Sequence, residues 1–254
     1  MGVLDRFKLD GKVAVVTGGT AGIGRGIALA FAEAGADVAI LSRRQSVVDE
    51  TVKELEKQGR RVLGIAGDVQ VDSTIPNALD QVLKAFGHID IMVNNVGNAE
   101  DRMYSLPEIS LEKWDYQIAY NMRQKFWGSQ QAAARMTDGG RIINIVTRAA
   151  LHPTPGFGAY ASANAAIIAM SRTLAEELAP RRITVNCIAP GVVVTDGLVK
   201  SLNSTVEDIQ HNARWAAPLG RIGQPSDIAA AAVYFASPAA EWTTGQCLAV
   251  AGGR

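Results

Sequence analysis

A tyrosine and an asparagine near the middle of the chain, Tyr160 and Asn164, stand four positions apart in the run AYASANAAI. Four residues are about one turn of an α-helix, so the two side chains would share one helix face. A phenol can transfer a proton to or from a bound oxygen atom, and an amide can hydrogen-bond hydroxyl groups. The spacing therefore indicates a catalytic pair, intact or altered. The alternative is a polar edge on an Ala-rich packing helix.

Three of the four glycines in TGGTAGIG, residues 17–24, are spaced for ligand binding where an apolar strand passes into a helical pattern. Gly18, Gly22 and Gly24 would let the backbone approach a pyrophosphate. The helix that follows offers free N–H groups and the positive end of its dipole. Because the loop falls between the first strand and the first helix of a long β/α series, it predicts dinucleotide binding rather than an ordinary glycine-rich turn.

The end of the second strand, LSRRQ, indicates which dinucleotide is bound. An acidic residue at this point usually holds the 2′-hydroxyl of NAD, and here the place is taken by Ser42, followed by Arg43 and Arg44. Guanidinium groups suit a 2′-phosphate that a carboxylate would repel. The sequence therefore favours NADP(H), with Arg25 as a further contributor to the same pocket. The alternative is that these arginines only solvate the start of a helix.

Apolar runs of strand length alternate with helical patterns along the whole chain. The predicted strands are VAVVT, DVAIL, RVLGIAG, IDIMVNN, RIINIV, ITVNCIA and QCLAVAG. Such alternation favours parallel strands joined by right-handed crossovers, and nearly all-apolar strands are typical of a sheet covered by helices on both faces. We therefore expect a single doubly wound α/β domain over residues 1–254, with the segment around 196–222 as its main irregular insertion.

The composition argues against several classes of protein. Lys and Arg together number 25, as do Asp and Glu, so the zero net charge provides no overall field for nucleic acid or an anionic membrane. The two cysteines and three histidines lack ligand spacing, which predicts no metal site and no disulfide framework. Because the first residues contain no apolar signal segment, we expect a cytoplasmic protein that acts on a small molecule.

Taken together, the motifs resemble the classical type of the short-chain dehydrogenase/reductase family over essentially the full chain. The resemblance rests on TGGTAGIG (17–24), GDV (67–69), NNVG (94–97), Asn121, GRIINIV (140–146), Tyr160, APGVVVT (189–195) and PLGRIGQPSDIA (218–229). It implies a Rossmann-type parallel sheet of about seven strands, a nicotinamide cofactor and usually a homotetramer. We therefore expect a homo-oligomer, either a tetramer or a dimer.

The resemblance also assigns positions around the cofactor. It places Asp68 and Val69 at the adenine, Asn94 and Asn95 beside the adenosine-side ribose and the sheet, and Val193 and Thr195 at the nicotinamide amide and the pyrophosphate. With the residues discussed above, the predicted cofactor-binding set is Gly18, Thr20, Gly22, Ile23, Gly24, Ser42, Arg43, Arg44, Asp68, Val69, Asn95, Gly97, Pro190, Gly191, Val193 and Thr195.

The departures from the family pattern concern the catalytic residues. The family's active-site asparagine is matched by Asn121, and its tyrosine by Tyr160. Thr147 stands thirteen residues before the tyrosine, where the family has a serine, and Asn164 stands where the family has a lysine. Thr147 keeps a hydroxyl with a restricted rotamer, so it can replace serine. These four residues are the predicted catalytic set.

Loss of the lysine has a physical consequence. In the family scheme this lysine holds the nicotinamide ribose and lowers the pKa of the tyrosine, whereas Asn164 carries no charge. A cation about 4–5 Å from a phenol, at an effective dielectric constant of about 20, is worth roughly 3–4 kcal/mol, or some 2–3 pKa units. Without a substitute cation, for which Arg148 is the candidate, Tyr160 should titrate near its ordinary pKa of about 10.

We therefore predict an NADP(H)-dependent oxidoreductase that reduces an activated C=O or a C=N (iminium) group, because such substrates need little or no proton donation. Two alternatives stay open. One is a non-redox enzyme, such as a cyclase, isomerase or lyase, that retains the cofactor. The other is a catalytically inactive, cofactor-binding partner subunit.

Three loops would leave the carboxyl ends of the strands, where ligands bind in this architecture: 98–107, 148–158 and 196–221. The length of the third loop suggests a lid over the substrate. His152 is an alternative acid, because its unperturbed pKa is about 6.5. The predicted apolar wall is Met103, Tyr104, His152, Phe157 and Trp215, with Glu100, Asp101 and Arg102 as polar anchors.

Overall fold

The computed structural model describes residues 2–99, 104–152, 154–201, 203–211 and 217–253, and these contain a seven-stranded sheet. All neighbouring strands are parallel, in the order β3-β2-β1-β4-β5-β6-β7. This arrangement confirms the predicted doubly wound α/β fold. The strands are β1 (Val13–Thr17), β2 (Asp37–Ser42), β3 (Val62–Ala66), β4 (Ile91–Asn94), β5 (Arg141–Ile145), β6 (Thr184–Pro190) and β7 (Cys247–Val250).

Helices connect the strands and cover both faces of the sheet. They are α1 (Gly22–Glu33), α2 (Gln45–Leu55), α3 (Thr74–Phe86), α4 (Leu111–Ile118), α5 (Gln124–Arg135), α6 (Gly158–Leu178), α7 (Asp196–Ser201), α8 (Val206–His211) and α9 (Pro225–Ala236). Glycine ends α3: Gly87 has φ of 88° and its N–H donates to the carbonyl of Leu83, so the left-handed residue satisfies the helix end.

Alternate residues of the central strand enter different hydrophobic clusters. Ala14 and Val16 of β1 pack in one cluster with α1 and α9, whereas Val13 and Val15 pack in the other with α3. Because successive strand side chains point to opposite faces, a strand between two helical layers must be apolar throughout. The all-apolar run in the sequence is the direct result of this position.

Two helical regions differ from the sequence-based expectation. The long helix after Ser110 is interrupted by a π-helical turn, Ala119–Arg123, which separates α4 from α5. The irregular insertion contains two short helices, α7 and α8. Helix α9 begins with Pro225, and a capping box joins Gln224 and Asp227 at its start; both are helix-start signals that the sequence carries.

Helix α9 packs closely on α1, since a Cβ atom at Gly26 would lie 2.7 Å from Cβ of Pro225. In the described part of the chain, no helix combines the length and hydropathy needed to cross a membrane.

Candidate active site

A cavity of about 740 Å³ lies at the carboxyl ends of the strands. Its walls come from segments that follow six neighbouring strands, β3-β2-β1-β4-β5-β6, so it spans the point between β1 and β4 where the crossovers reverse direction. Open α/β sheets bind ligands at this edge. The predicted site residues that line the cavity are Gly18, Thr20, Gly22, Ile23, Ser42, Arg43, Asp68, Val69, Asn95, Gly97, Thr147, Tyr160, Pro190, Gly191, Val193 and Thr195.

The glycine loop after β1 forms one wall and leaves no room for side chains. Gly22 has φ of 50°, and a Cβ atom there would lie 2.9 Å from Cγ2 of Thr195 across the cavity. Gly24 does not line the cavity. A Cβ atom at Gly24 would lie 2.3 Å from the carbonyl oxygen of Gly18, so this glycine allows α1 to pack on the loop. The backbone at the start of α1 is therefore open to a ligand.

The adenosine end of the predicted site lies beyond β2 and β3. The hydroxyls of Ser42 and Thr20 are 2.8 Å apart, and Arg43 lines the cavity beside Asp68. Arg44 is exposed, caps the start of α2 and does not line the cavity. The suggestion that Arg25 joins this pocket is not supported, because its guanidinium pairs with Glu54 on α2 and lies outside the cavity.

Tyr120 is a cavity residue that sequence reasoning missed. It belongs to the π-helical turn and stacks on Tyr116, with ring centroids 5.5 Å apart. Burial raises the pKa of Tyr120; the charge of Arg43 lowers it and that of Asp68 raises it further. These influences place the Tyr120 phenol at the same end of the cavity as the two charged residues.

Tyr160 and Thr147, two residues of the predicted catalytic set, line the opposite end of the cavity. The Thr147 hydroxyl accepts a hydrogen bond from the N–H of Ala149 at 3.2 Å, which fixes its orientation at the start of a short 3₁₀ turn. Its own proton is free to reach the phenol. Burial raises the pKa of Tyr160, and the hydrogen bond with Thr147 opposes this shift in part. Arg148 lines the cavity but does not contribute to this pKa shift.

The two asparagines of the predicted catalytic set lie behind the cavity wall. Asn121 is buried, and its side chain bonds the backbone N–H and carbonyl of Asn98 at 3.0 and 2.9 Å. Asn164 is fully buried, and its Nδ2 donates to the carbonyl of Tyr160 at 2.9 Å, while its Oδ1 has no hydrogen-bond partner. Neither residue lines the cavity, so both positions support other residues rather than face a ligand directly.

Lys125, the lysine of α5, is the second cavity residue that sequence reasoning missed. It is only 1% exposed, and its Nζ donates to the carbonyl of Asn121 at 3.1 Å. Burial lowers its pKa to about 7. The sequence did contain a signal: Lys125 stands four residues after Asn121 and therefore on the same helix face.

The predicted substrate loops are partly placed by the structure. Tyr104 and Phe157 form an isolated parallel bridge, which joins the first two loops, and Phe157 lines the cavity. His152 is exposed and does not line it. Gly197 and Leu198 from the start of α7 close another side. Glu100, Asp101, Arg102, Met103 and Trp215 lie outside the described residues.

The family model described as enoyl-(acyl carrier protein) reductase matches residues 18–254. The chain belongs to the short-chain dehydrogenase/reductase family. An uncharacterized oxidoreductase of Mycobacterium tuberculosis (strain CDC 1551 / Oshkosh) is 40% identical over 254 residues, which cover 99% of this chain and 95% of the relative. The family resemblance drawn from the motifs is thus confirmed.

Two solved members of this family are also close in structure. A short-chain dehydrogenase from Burkholderia cenocepacia, in complex with NADP, superposes with a TM-score of 0.86 at 35% identity over 97% of this chain and 98% of its own. A 7α-hydroxysteroid dehydrogenase, complexed with NADH and 7-oxo glycochenodeoxycholic acid, superposes with a TM-score of 0.90 at 33% identity over 100% of this chain and 98% of its own.

Proposed function

We propose that the protein is an NADP(H)-dependent reductase of an activated C=O or C=N group in a small molecule. The observation that carries this proposal is the Tyr160–Thr147 hydroxyl pair at one end of a cavity whose other end is a glycine loop. A proton-transfer pair and a dinucleotide-binding loop in one cavity are what hydride transfer to a carbonyl requires.

The residues present fit a nicotinamide dinucleotide. No side chain caps the start of α1, so its free backbone N–H groups and the positive end of its dipole can bind a pyrophosphate. Arg43 and Ser42 offer a guanidinium and a hydroxyl at the end where a 2′-phosphate would lie. When bound, such a cofactor supplies the hydride. The chain itself must then provide binding, orientation and the proton.

Tyr160 is suited to donate that proton. Because burial raises its pKa, the phenol is protonated at neutral pH, which is the state needed for reduction. Thr147 orients the phenol and can share a hydrogen bond with the substrate oxygen. The opposite direction, alcohol oxidation, would need the phenolate, which the raised pKa makes scarce near neutrality.

The same raised pKa makes Tyr160 a weak acid, which motivates the choice of substrate. Effective general acid catalysis contributes about 10²- to 10⁴-fold in rate, and an ordinary ketone depends on it. An activated ketone depends on it less, and an iminium ion needs hydride without a proton. Substrates of the last two kinds therefore match the described pair best.

The proposal also includes a homo-oligomer in the cytoplasm. The surface of α4 and α5 carries the large apolar side chains Leu111, Tyr116 and Phe126, which are exposed in the single chain. Burying such a face between subunits is favourable. Sedimentation of the purified protein should show a dimer or tetramer, and a monomer at micromolar concentration would contradict this part.

The deciding experiment follows NADPH oxidation with a panel of simple ketones, activated ketones and cyclic imines at neutral pH. We expect turnover of the activated ketones and imines, with stoichiometric NADPH consumption. Turnover without net cofactor oxidation would instead support a non-redox enzyme, and cofactor binding without turnover by the purified protein would support a partner subunit. Good turnover of simple ketones that survives Tyr160→Phe would refute the proposed role of the phenol.

A further inference from the structure

A fully buried lysine with no carboxylate partner is the least explained group in the molecule. Among the described residues, no Asp or Glu forms an ion pair with Lys125, the charge that acts on it is that of Cys187, and its one hydrogen-bond acceptor is the carbonyl of Asn121. An ammonium has three donors, so two are left over. Buried charges are normally paired, and a protein keeps an unpaired one at a cost to its stability.

The position of Lys125 in the fold points to a ligand. A Cβ atom at Gly97 would lie 2.8 Å from Nζ of Lys125, so the ammonium sits against the backbone that follows β4. In the sheet, β4 lies between β1, which leads into the glycine loop, and β5, which leads to Thr147. Nζ therefore lies between the part of the cavity suited to a pyrophosphate and the part that holds the proton-transfer pair.

The moiety of a nicotinamide dinucleotide between the pyrophosphate and the reacting ring is a ribose. Its free polar groups are two hydroxyls, which accept hydrogen bonds from an ammonium. On the proposed function above, we propose that Lys125 binds the hydroxyls of this ribose through its two free N–H groups. Lys125 is then a cofactor-binding residue that comes from α5, not from the helix that carries Tyr160.

The residue at 164 agrees with this assignment. Asn164 sits one turn after Tyr160 on α6, donates its Nδ2 proton to the Tyr160 carbonyl and does not line the cavity, and as an amide it brings no charge to this site. Lys125 therefore takes the ribose contact alone. It does not contribute to the pKa of Tyr160, so in this protein the holding of the ribose and the acidity of the phenol are separate properties.

The test compares two ligands that differ by the proposed contact. NADP⁺ contains the second ribose, and adenosine 2′,5′-bisphosphate does not. In Lys125→Met, the Kd of NADP⁺ should rise about 10- to 100-fold, because hydrogen bonds to a charged group are lost, while the Kd of adenosine 2′,5′-bisphosphate stays within threefold of the wild-type value. The second ligand also reports that the variant is folded, and Lys125→Gln provides the same comparison if the methionine variant does not fold.

Two further readouts distinguish a ribose contact from a structural role. Adding Asn164→Lys to Lys125→Met should recover at least tenfold in NADP⁺ affinity, because the ammonium returns from α6. The ratio of the variant and wild-type Kd values should also be largest at pH 6 and should shrink by pH 8.5, as the lysine loses its proton.

Three titratable groups near Lys125 keep their protons over that pH range, whereas Cys247, whose pKa is lowered by its hydrogen bond with Cys187, does not itself act on Lys125. Cys187 on β6 has a pKa raised well above its usual value by Cys247 and burial, and burial raises the pKa of both Tyr120 and Tyr160. The Arg148 guanidinium keeps its charge at every pH used. A titration of the 2′-phosphate acts on both proteins and cancels in the ratio.

The inference and the proposed function fail in different ways. Wild-type protein that binds NADP⁺ but reduces no substrate overturns the function and leaves the ribose contact standing. An NADP⁺ Kd for Lys125→Met within threefold of wild type overturns the ribose contact, whatever the activity. Equal weakening of both ligands also overturns it, because the lysine would then support only the fold.

Discussion

The two ends of the cavity are constructed differently. The end beyond β1, β2 and β3 is formed mainly by residues that follow these strands, with Tyr120 added from the π-helical turn. Gly18, Ser42 and Asp68 each lie within two residues of a strand end. The other end takes Thr147 from the loop after β5, Tyr160 from α6 and Lys125 from α5. The comparison shows that a nucleotide-binding loop is a local property of sequence, whereas the proton-transfer end is assembled from distant segments.

The most disruptive test of the proton-transfer end is Tyr160→Phe. Removal of the phenol hydroxyl should lower turnover of activated ketones with NADPH by about 10²-fold, the low end of the general-acid contribution, because these substrates depend on the proton donor less than ordinary ketones do. NADP⁺ affinity should remain close to wild type, since the other end is untouched. Thr147→Ser is the matched control and should retain most activity. An equal loss of turnover in Tyr160→Phe and Thr147→Ser would mean that the substitutions act by disturbing side-chain packing and not by removing the proton donor.

Lys125→Met should change stability strongly at neutral pH. The lysine has a pKa of about 7 when folded and about 10.4 when unfolded, so the fold carries the full cost of the buried ammonium below pH 7. Above pH 7 the unfolded chain binds more protons, and stability rises until about pH 10. The variant should therefore be more stable by about 4–5 kcal/mol at pH 6, with the difference shrinking at pH 9–10.

Chemical denaturation at several pH values measures this difference directly. Lys84→Met, on α3, is a suitable control because it also replaces a lysine on a helix without entering the cavity. A constant difference between Lys125→Met and wild type from pH 6 to pH 10 would show that the lysine keeps one ionisation state throughout.

Asn164→Lys tests why the proton-transfer end favours activated substrates. An ammonium one turn after Tyr160 should lower the pKa of the phenol by some 2–3 units, or roughly 3–4 kcal/mol if it lies about 4–5 Å away. Turnover of simple ketones should then rise about tenfold, and alcohol oxidation should begin at lower pH. A pH–rate profile that matches the parent in both directions would remove the link between the residue at 164 and the phenol.

The smallest effect is expected at the nucleotide end. Arg43→Ala should weaken NADPH binding by about tenfold, or about 1.4 kcal/mol, while NADH binding changes little, because only the 2′-phosphate contact is lost. Arg44→Ala is the matched control, as this neighbour does not line the cavity. If both substitutions shift the two cofactors equally, the preference for NADP(H) has another origin.

The same contrast explains what the sequence could reveal. Strand positions, the glycine loop and Arg43 were predictable because strand periodicity and glycine geometry are local features. The spacing of Lys125 four residues after Asn121 was the one local signal, but the approach of its Nζ to Gly97 joins α5 to the loop after β4 and depends on the fold. Arg25 was misplaced for a similar reason, since its partner Glu54 lies on the next helix along the chain.

The residue at 164 shows the limit more sharply. The missing lysine was visible in the run AYASANAAI, and the cation sought nearby in sequence was Arg148. The structure instead brings a lysine from about forty residues upstream to the cavity. A sequence motif shows that a lysine is absent at position 164. It does not show that a lysine from another helix lines the same cavity.

The π-helical turn Ala119–Arg123 makes the placement of Lys125 depend on a single inserted residue. A π turn holds one residue more than the α-helical turn it replaces, so deletion of any residue within it would rotate α5 by about 100° relative to α4. Asn121 and Lys125 could not then both keep their present directions. The length of this one turn thus decides which side chain of α5 lines the cavity, so a change of chain length here would alter the polar groups available to a ligand as surely as a substitution would.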